Sequence, residues 1–376
     1  MKILYIASNI PLPTLKSNRI VLTIAEKMSQ FCDISFVFPA ARVFPPFSFM
    51  KKYKPLANLK PWTDGIFALK PLRYLRLPGK KLSYFLIDSI HPKRYVEKNA
   101  LPDLCHAHFI MPDGYIALKI KEKYNTPYMV SARTSDIRHL KALERKSSVY
   151  GKFIKVLKNA DKIIVHNRPQ QEFIARLGFD SVIIPHGIES GALNDAAEKA
   201  DSPIIISVVA ELIRRKNIDW VIRAVKEYSG KQPVQLMIAG DGVCREELLR
   251  LAAHTSNIHF LGKISHEEVM SLLEKSHIFA LPSINETFGL VYLEAAAKYN
   301  AVICCRDEGV DGLFDDRTEM MFCEGYDDFK AMLNKLIEHP EERKIMADNG
   351  FTKVKNYTWE NVRSQYIEIY RQVVSR

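Results

Sequence analysis

The chain has 376 residues, more than one ordinary domain and enough for two of about 150–200 residues each. Hydrophobic residues make up 47% of it, so each half can bury a core and disorder is not the default reading. The net charge is +11, and residues 41–100 hold most of it, with 13 Lys or Arg against 3 Asp or Glu. The same stretch carries ten aromatics, among them Phe44, Tyr53, Trp62 and Tyr84, and seven prolines. Such a segment suits docking to something anionic: membrane headgroups, a lipid diphosphate or nucleic acid. The alternative is a solvated insertion with its aromatics packed beneath.

The residues Met1–Ser8 form a short apolar run followed by Pro11 and Pro13, which reads as a buried first strand and not as a signal peptide. No apolar run approaches the ~18–20 residues of a membrane helix. Six cysteines, Cys32, Cys105, Cys244, Cys304, Cys305 and Cys323, form no C-x-x-C pair and read as buried free thiols of a reducing compartment.

In chain order, the first half alternates strands and helices. Strands are expected at 2–8, 33–38, 103–108, 127–131, 161–166 and 181–185. Helices are expected at 18–30, 113–124, within 136–159 and at 168–177. Residues 187–202 lack apolar periodicity and read as a linker. The second half repeats the scheme, with strands at 203–209, 233–239, 257–261, 277–282 and 301–305. Ser265 and Glu268 form a capping-box pattern before one of its helices. A last helix begins near Thr358 and is expected to pack back on the first domain. The result is an α/β fold of two doubly wound parallel sheets, 1–186 and 203–357, facing across a cleft, with 358–376 as the returning helix.

Four constellations carry chemistry. The first is Glu286-Thr-Phe-Gly-Leu-Val-Tyr-Leu-Glu294, where a strand ends, a loop carries Gly289 and a helix starts near Leu290. The free N–H groups of such a helix start favour phosphate, Gly289 permits close approach, and the two carboxylates suit hydroxyls. The second is the basic turn Arg214-Arg215-Lys216 after the first strand of the second half, a natural grip for a diphosphate. The third is Gly240-Asp241-Gly242, a tight turn after the next strand. The fourth is Cys105-His106-Ala107-His108, where residues two apart share a strand face. No distant ligand pair completes a metal site there, so a single histidine, His106 or His108, is expected to reach the cleft. Neither a P-loop nor a G-x-G-x-x-G after the first strand is present, which argues against a P-loop NTPase or an ordinary dehydrogenase.

With these residues in view, the chain resembles glycosyltransferase family 4, of GT-B fold, over nearly its whole length. Glu286 to Glu294 with Phe288, Gly289 and Leu290 carries the resemblance most specifically. Lys216-Asn217, Leu261-Gly262, Phe279-Ala-Leu-Pro-Ser283, Ile184-Pro-His-Gly-Ile188 and Asp103-Leu-Cys-His-Ala-His108 add to it. The resemblance implies that Glu286 contacts the donor sugar, Glu294 the ribose hydroxyls, and Lys216 with N–H groups near Gly289 the diphosphate. His108 would stand beside the reacting sugar. Arg214, Arg215, Gly240, Phe288 and Leu290 complete the expected donor site. Glu211 stands where the family often has arginine, so Arg214 or Arg215 is expected to replace that cation. The loop from Pro11 to Arg19 also lacks the family's paired glycines. The implied reaction is retaining transfer from a nucleoside diphosphate sugar to a saccharide or lipid-linked acceptor in surface polysaccharide synthesis. It needs no cofactor and no metal. A cytoplasmic location, peripheral at the inner membrane face, follows from the resemblance and the basic segment, with no nucleic acid partner expected. The competing readings are a UDP-sugar 2-epimerase on the same fold and a non-catalytic protein binding nucleic acid or another anion.

Overall fold

A computed structural model describes residues 1–13, 19–43, 59–77, 84–96, 101–193 and 199–375. The chain divides into two compact units. The first comprises Met1–His166, Gln170–Ile184 and Arg363–Arg376; the second comprises Asn167–Pro169 and Pro185–Val362.

The first unit is built on an eight-stranded sheet, ordered β3-β4-β2-β1-β5-β6-β7-β8. Its strands are β1 (Lys2–Ile6), β2 (Asp33–Val43), β3 (Trp62–Asp64), β4 (Phe67–Arg76), β5 (Leu104–Ala107), β6 (Tyr128–Ser131), β7 (Lys162–Val165) and β8 (Val182–Ile183). All neighbours run parallel except the β3–β4 pair. The central strands read as continuous apolar runs because helices cover both faces of a parallel sheet. The chain leaves β1 toward β2 on one side and later places β5 on the other. The crevice beyond the carboxyl ends of β1 and β5 is therefore the topological switch point.

No strand is expected within the basic segment 41–100, yet one forms there. Within it, β4 pairs with β2 from Phe36–Leu69 to Val43–Arg76. Phe67, Leu69 and Tyr74 are buried, and so are Tyr84 and Tyr95. Alternation of lysines and prolines with apolar residues hid this strand. Residues 44–58, 78–83 and 97–100, which hold Phe44 and Tyr53, lie outside the described residues, as do 14–18 of the first loop.

The second unit carries a six-stranded parallel sheet, ordered β11-β10-β9-β12-β13-β14. Its strands are β9 (Ile204–Val209), β10 (Val234–Ala239), β11 (Ile258–Gly262), β12 (Ile278–Ala280), β13 (Ala301–Cys305) and β14 (Met321–Cys323). The helix Ile218–Glu227 buries Ile218, Val221, Ile222 and Val225 against it. The capping box at Ser265 is present: its hydroxyl accepts from Glu268 N at 3.2 Å, and the Glu268 carboxylate accepts from Ser265 N at 2.7 Å. Here the switch point lies beyond β9 and β12.

Two boundaries differ from the sequence expectation. The second unit begins at Pro185, and Ile188 is already built into it, with its N–H bonded to Tyr357 O and its carbonyl accepting from Trp359 N. The final helix, Trp359–Val374, is divided between the units at Val362/Arg363. All six cysteines are buried thiols. Among the described residues no helix is long and apolar enough to cross a membrane.

Candidate active site

The loop after β9 turns through Arg214–Lys216 and enters its helix at Asn217, whose φ of 47° is left-handed. That geometry explains the asparagine, since only glycine and short polar side chains adopt it readily. Asn217 Nδ2 donates to Pro282 O at 2.9 Å, and Ile284 N donates to Arg215 O at 2.8 Å. The loops after β9 and β12 are thereby stitched together over the switch point.

The stitching buries an ion pair. Lys216 Nζ donates to Glu286 Oε2, and both side chains are about nine-tenths buried. The same carboxylate accepts from Ser283 Oγ at 3.0 Å and Thr287 N at 3.0 Å. Burial pushes the Glu286 carboxyl up, but the Lys216 ammonium and these donors outweigh it and hold the group below the usual range. Glu308, after β13, accepts from Asn285 N and Glu286 N, each at 2.7 Å, and so fixes the turn from which Glu286 projects. Sequence reading missed Glu308. Its only signal was a carboxylate beside Gly309 just past a strand end.

Gly289 and Gly240 both stand where a side chain would not fit. Gly289 has φ 79°, and a Cβ there would meet the Tyr292 ring at 2.4 Å. It is required by the local turn into the helix Leu290–Ala296. Phe288 is buried against His186, with ring centroids 4.7 Å apart. Glu294 lies on the second turn of that helix, mostly buried, 4.0 Å from His266 Nδ1. Burial raises its carboxyl above the usual range, with His266 opposing. Gly240 has φ 134°, and a Cβ would sit 1.8 Å from Ala210 O, so the β9 and β10 ends touch backbone to backbone.

Beside that contact is a cavity of about 610 Å³ at the carboxyl end of the sheet. Its walls include Ala210 and Glu211 after β9, Gly240–Gly242 after β10, Lys263 and Ile264 after β11, and Val269. Lys263 and Ile264 were not singled out from sequence, because neither belongs to a charge run or a glycine turn. The size is that of a small-molecule site.

The first unit's switch point is different in kind. His106 and His108 are both fully buried and stacked with ring centroids 4.1 Å apart. His106 Nδ1 pairs with Tyr370 Oη at 2.8 Å and its Nε2 with Ser131 Oγ at 3.0 Å. Tyr370 Oη continues to Tyr5 Oη at 2.7 Å. Burial, with Arg133 and His166 nearby, holds the His106 imidazole well below its ordinary pKa, so it is neutral. His108 packs on Tyr5, and its carbonyl accepts from Arg133 Nε at 2.9 Å. Both histidines, one of which was expected to reach the cleft, are fully buried at the end of β5. Asp113 Oδ2 accepts from Ser8 N at 3.1 Å, joining the loops after β1 and β5. Among the described residues no three His, Cys, Asp or Glu side chains converge on a point that could hold a metal ion.

Comparison with known proteins now decides the family. Residues 32–191 match the sequence model of Glycosyltransferase Family 4, and residues 192–353 match that of Glycosyl transferases group 1. The chain belongs to glycosyltransferase family 4. It is a glycosyltransferase of GT-B fold, with two Rossmann-like domains, which sets aside the epimerase and the non-catalytic binding protein. It is 26% identical over 342 residues to the putative teichuronic acid biosynthesis glycosyltransferase TuaC of Bacillus subtilis, covering 85% of each chain. Its fold is similar to that of sucrose-phosphate synthase from Thermosynechococcus elongatus (TM-score 0.72, 17% identity, 100% of this chain and 99% of that one). It is also similar to that of HepE from Anabaena in complex with UDP (TM-score 0.68, 13% identity, 99% of this chain and 100% of that one).

Proposed function

We propose that this glycosyltransferase moves a sugar from a nucleoside diphosphate to a hydroxyl of a saccharide or lipid-linked saccharide, with retention at the anomeric carbon, in surface polysaccharide synthesis. The observation that carries the reading is the Lys216–Glu286 pair over the second unit's switch point, on a loop that also walls the 610 Å³ cavity. The polysaccharide role leans on the similarity to TuaC.

In this reading the nucleoside occupies the cavity, and its ribose hydroxyls bond to Glu294. The diphosphate lies against the basic turn and the N–H groups near Phe288–Leu290. Glu286, oriented by Lys216, Ser283 and Thr287, accepts from a donor-sugar hydroxyl. The barrier lies in breaking the bond to an anionic leaving group while positive charge grows on the sugar. Fixed cations and N–H dipoles stabilise the departing diphosphate without reorganising. A donor phosphate oxygen takes the acceptor proton, so no protein base is required. The full burial of His106 and His108 accords with that, and we assign His108 to shaping the strand end. The donor is a substrate, the basic turn meets its charge, and we take the reaction to need no resident cofactor or metal.

Acceptor choice falls to the first unit, whose basic segment suits an anionic lipid surface at the cytoplasmic face. Wild type should pellet with liposomes containing anionic lipid, and a form with lysines 51, 52 and 54 neutralised should not; equal pelleting ends that part of the proposal. The reaction itself is tested by thermal shift against UDP-, GDP- and ADP-sugars, followed by transfer from the stabilising donor. Proton NMR of the first product should show the donor's anomeric configuration. Inversion, or stabilisation by none of these donors, would overturn the reading.

A further inference from the structure

The loop after β12, from which Glu286 projects, is flanked in the sheet by β9 on one side and β13 on the other. Each flank sends one charged side chain to it. From the β9 side, Lys216 reaches the Glu286 carboxylate itself. From the β13 side, Glu308 reaches the backbone: its Oε1 accepts from Asn285 N and its Oε2 from Glu286 N, each at 2.7 Å.

The backbone donors of this loop show what Glu308 supplies. Residues 283–287 lie in neither helix nor strand, so each N–H must find an acceptor outside a regular ladder. Ser283 N donates to Leu281 O at 2.8 Å and Ile284 N to Arg215 O at 2.8 Å. Thr287 N donates to the carboxylate of Glu286 at 3.0 Å. The two donors that remain, on Asn285 and Glu286, are both met by Glu308. Asn285 holds a left-handed φ of 55°, a conformation that costs energy in a residue other than glycine, so the turn depends on its outside contacts.

Glu308 is itself held in place. Beside it, Asp307 N donates to Asp311 Oδ2 at 2.7 Å, and Gly309 O accepts from Asn167 Nδ2 at 2.6 Å. A Cβ at Gly309 would lie 2.9 Å from Phe288 O and 3.4 Å from Glu286 Cγ, so the loops after β12 and β13 pack directly on one another.

We propose that Glu308 is a positioning residue for the transfer: it fixes the backbone from which Glu286 grips the donor sugar, and it takes no part in holding the diphosphate. The assignment rests on the donor reading above. Glu286 then has two supports, Lys216 for its charge and Glu308 for its main chain. A reacting group misplaced by about 1 Å can cost about a hundredfold, which is why a support at one remove matters.

The test is calorimetric titration of the UDP-, GDP- or ADP-sugar that stabilises wild type most, with the matching nucleoside diphosphate alongside. Glu308→Ala should weaken the sugar nucleotide at least about tenfold and leave the diphosphate within about twofold of wild type. Sodium formate, a carboxylate small enough for the two vacated N–H groups, should restore part of that loss in Glu308→Ala and leave wild type and Glu286→Gln unchanged. Glu308→Gln keeps the shape and one acceptor oxygen, so it should show a smaller loss with the same selectivity. It carries the comparison if Glu308→Ala does not fold. Equal weakening of both ligands, weakening of neither, or a loss that formate does not relieve would overturn the assignment. A wild type that binds none of the sugar nucleotides removes the donor reading itself, and this proposal with it.

Discussion

The two sheets share a topology but use their switch points differently. Beyond β9 and β12 lie a buried ion pair and a guanidinium nitrogen of Arg215 with no hydrogen-bond partner among the described residues, with a cavity next to them at the ends of β9, β10 and β11. Beyond β1 and β5 several polar groups bond to one another within the core. His106, Ser131, Tyr370 and Tyr5 form one buried chain of hydrogen bonds, and Asp113 ties down the Ser8 loop. A cluster of histidines at a strand end is thus a weaker sign of chemistry than a lysine and a glutamate meeting from two loops. His106 is satisfied within the core at both ring nitrogens; the ion pair is retained where two loops must be held in register.

Breaking the ion pair from one side should have the largest effect. Lys216→Met leaves Glu286 buried without its counter-charge, and urea unfolding should show a loss of about 3–5 kcal/mol with activity abolished. Glu286→Gln keeps the shape and removes the charge, so turnover should fall about a hundredfold while the protein stays folded.

The pH dependence separates the two regions. His166 is lowered to about 3 by burial and Arg133, and His106 is lowered well below its ordinary value. An unfolded histidine takes a proton near pH 6.5 where these do not, so stability should fall as pH drops below about 6.5. The slope is up to about 1.4 kcal/mol per pH unit for each group. Glu286 has the opposite chemistry: its carboxyl is depressed, so its contribution is complete above about pH 4.3 and fades only below that. His166→Gln should flatten the slope between pH 6.5 and 4.3 in denaturant titrations, and an unchanged slope would contradict the assignment. The smallest effect is expected at Asn217. Asn217→Ala should lose about 1 kcal/mol for its left-handed φ, and Asn217→Gly less, because glycine adopts that φ freely.

Much of this arrangement was legible in the residue pattern. Continuous apolar runs such as Ile204–Val209, separated by turn residues, gave both parallel sheets. The carboxylates of 286 and 294 and the basic turn stood out because strand ends in such sheets are where ligands bind. Three features were not legible. β4 was masked by lysines and prolines that a strand near a sheet edge tolerates. The packing of the Tyr292 ring over Gly289, at its positive φ, belongs to the folded turn and has no signature in the residue pattern. The pairing of Lys216 with Glu286 spans 70 residues, and only the folded sheet brings them together.

The central claim is that the second unit's switch point receives the donor, and hydrogen exchange read by mass spectrometry tests it most directly. The probe is whichever UDP-, GDP- or ADP-sugar raises the melting temperature most. Protection should appear at Ala210–Asn217, Gly240–Gly242, Lys263–Ile264 and Ser283–Leu290. Protection confined to the strand ends after β1 and β5, or none anywhere at saturating donor, would contradict the account.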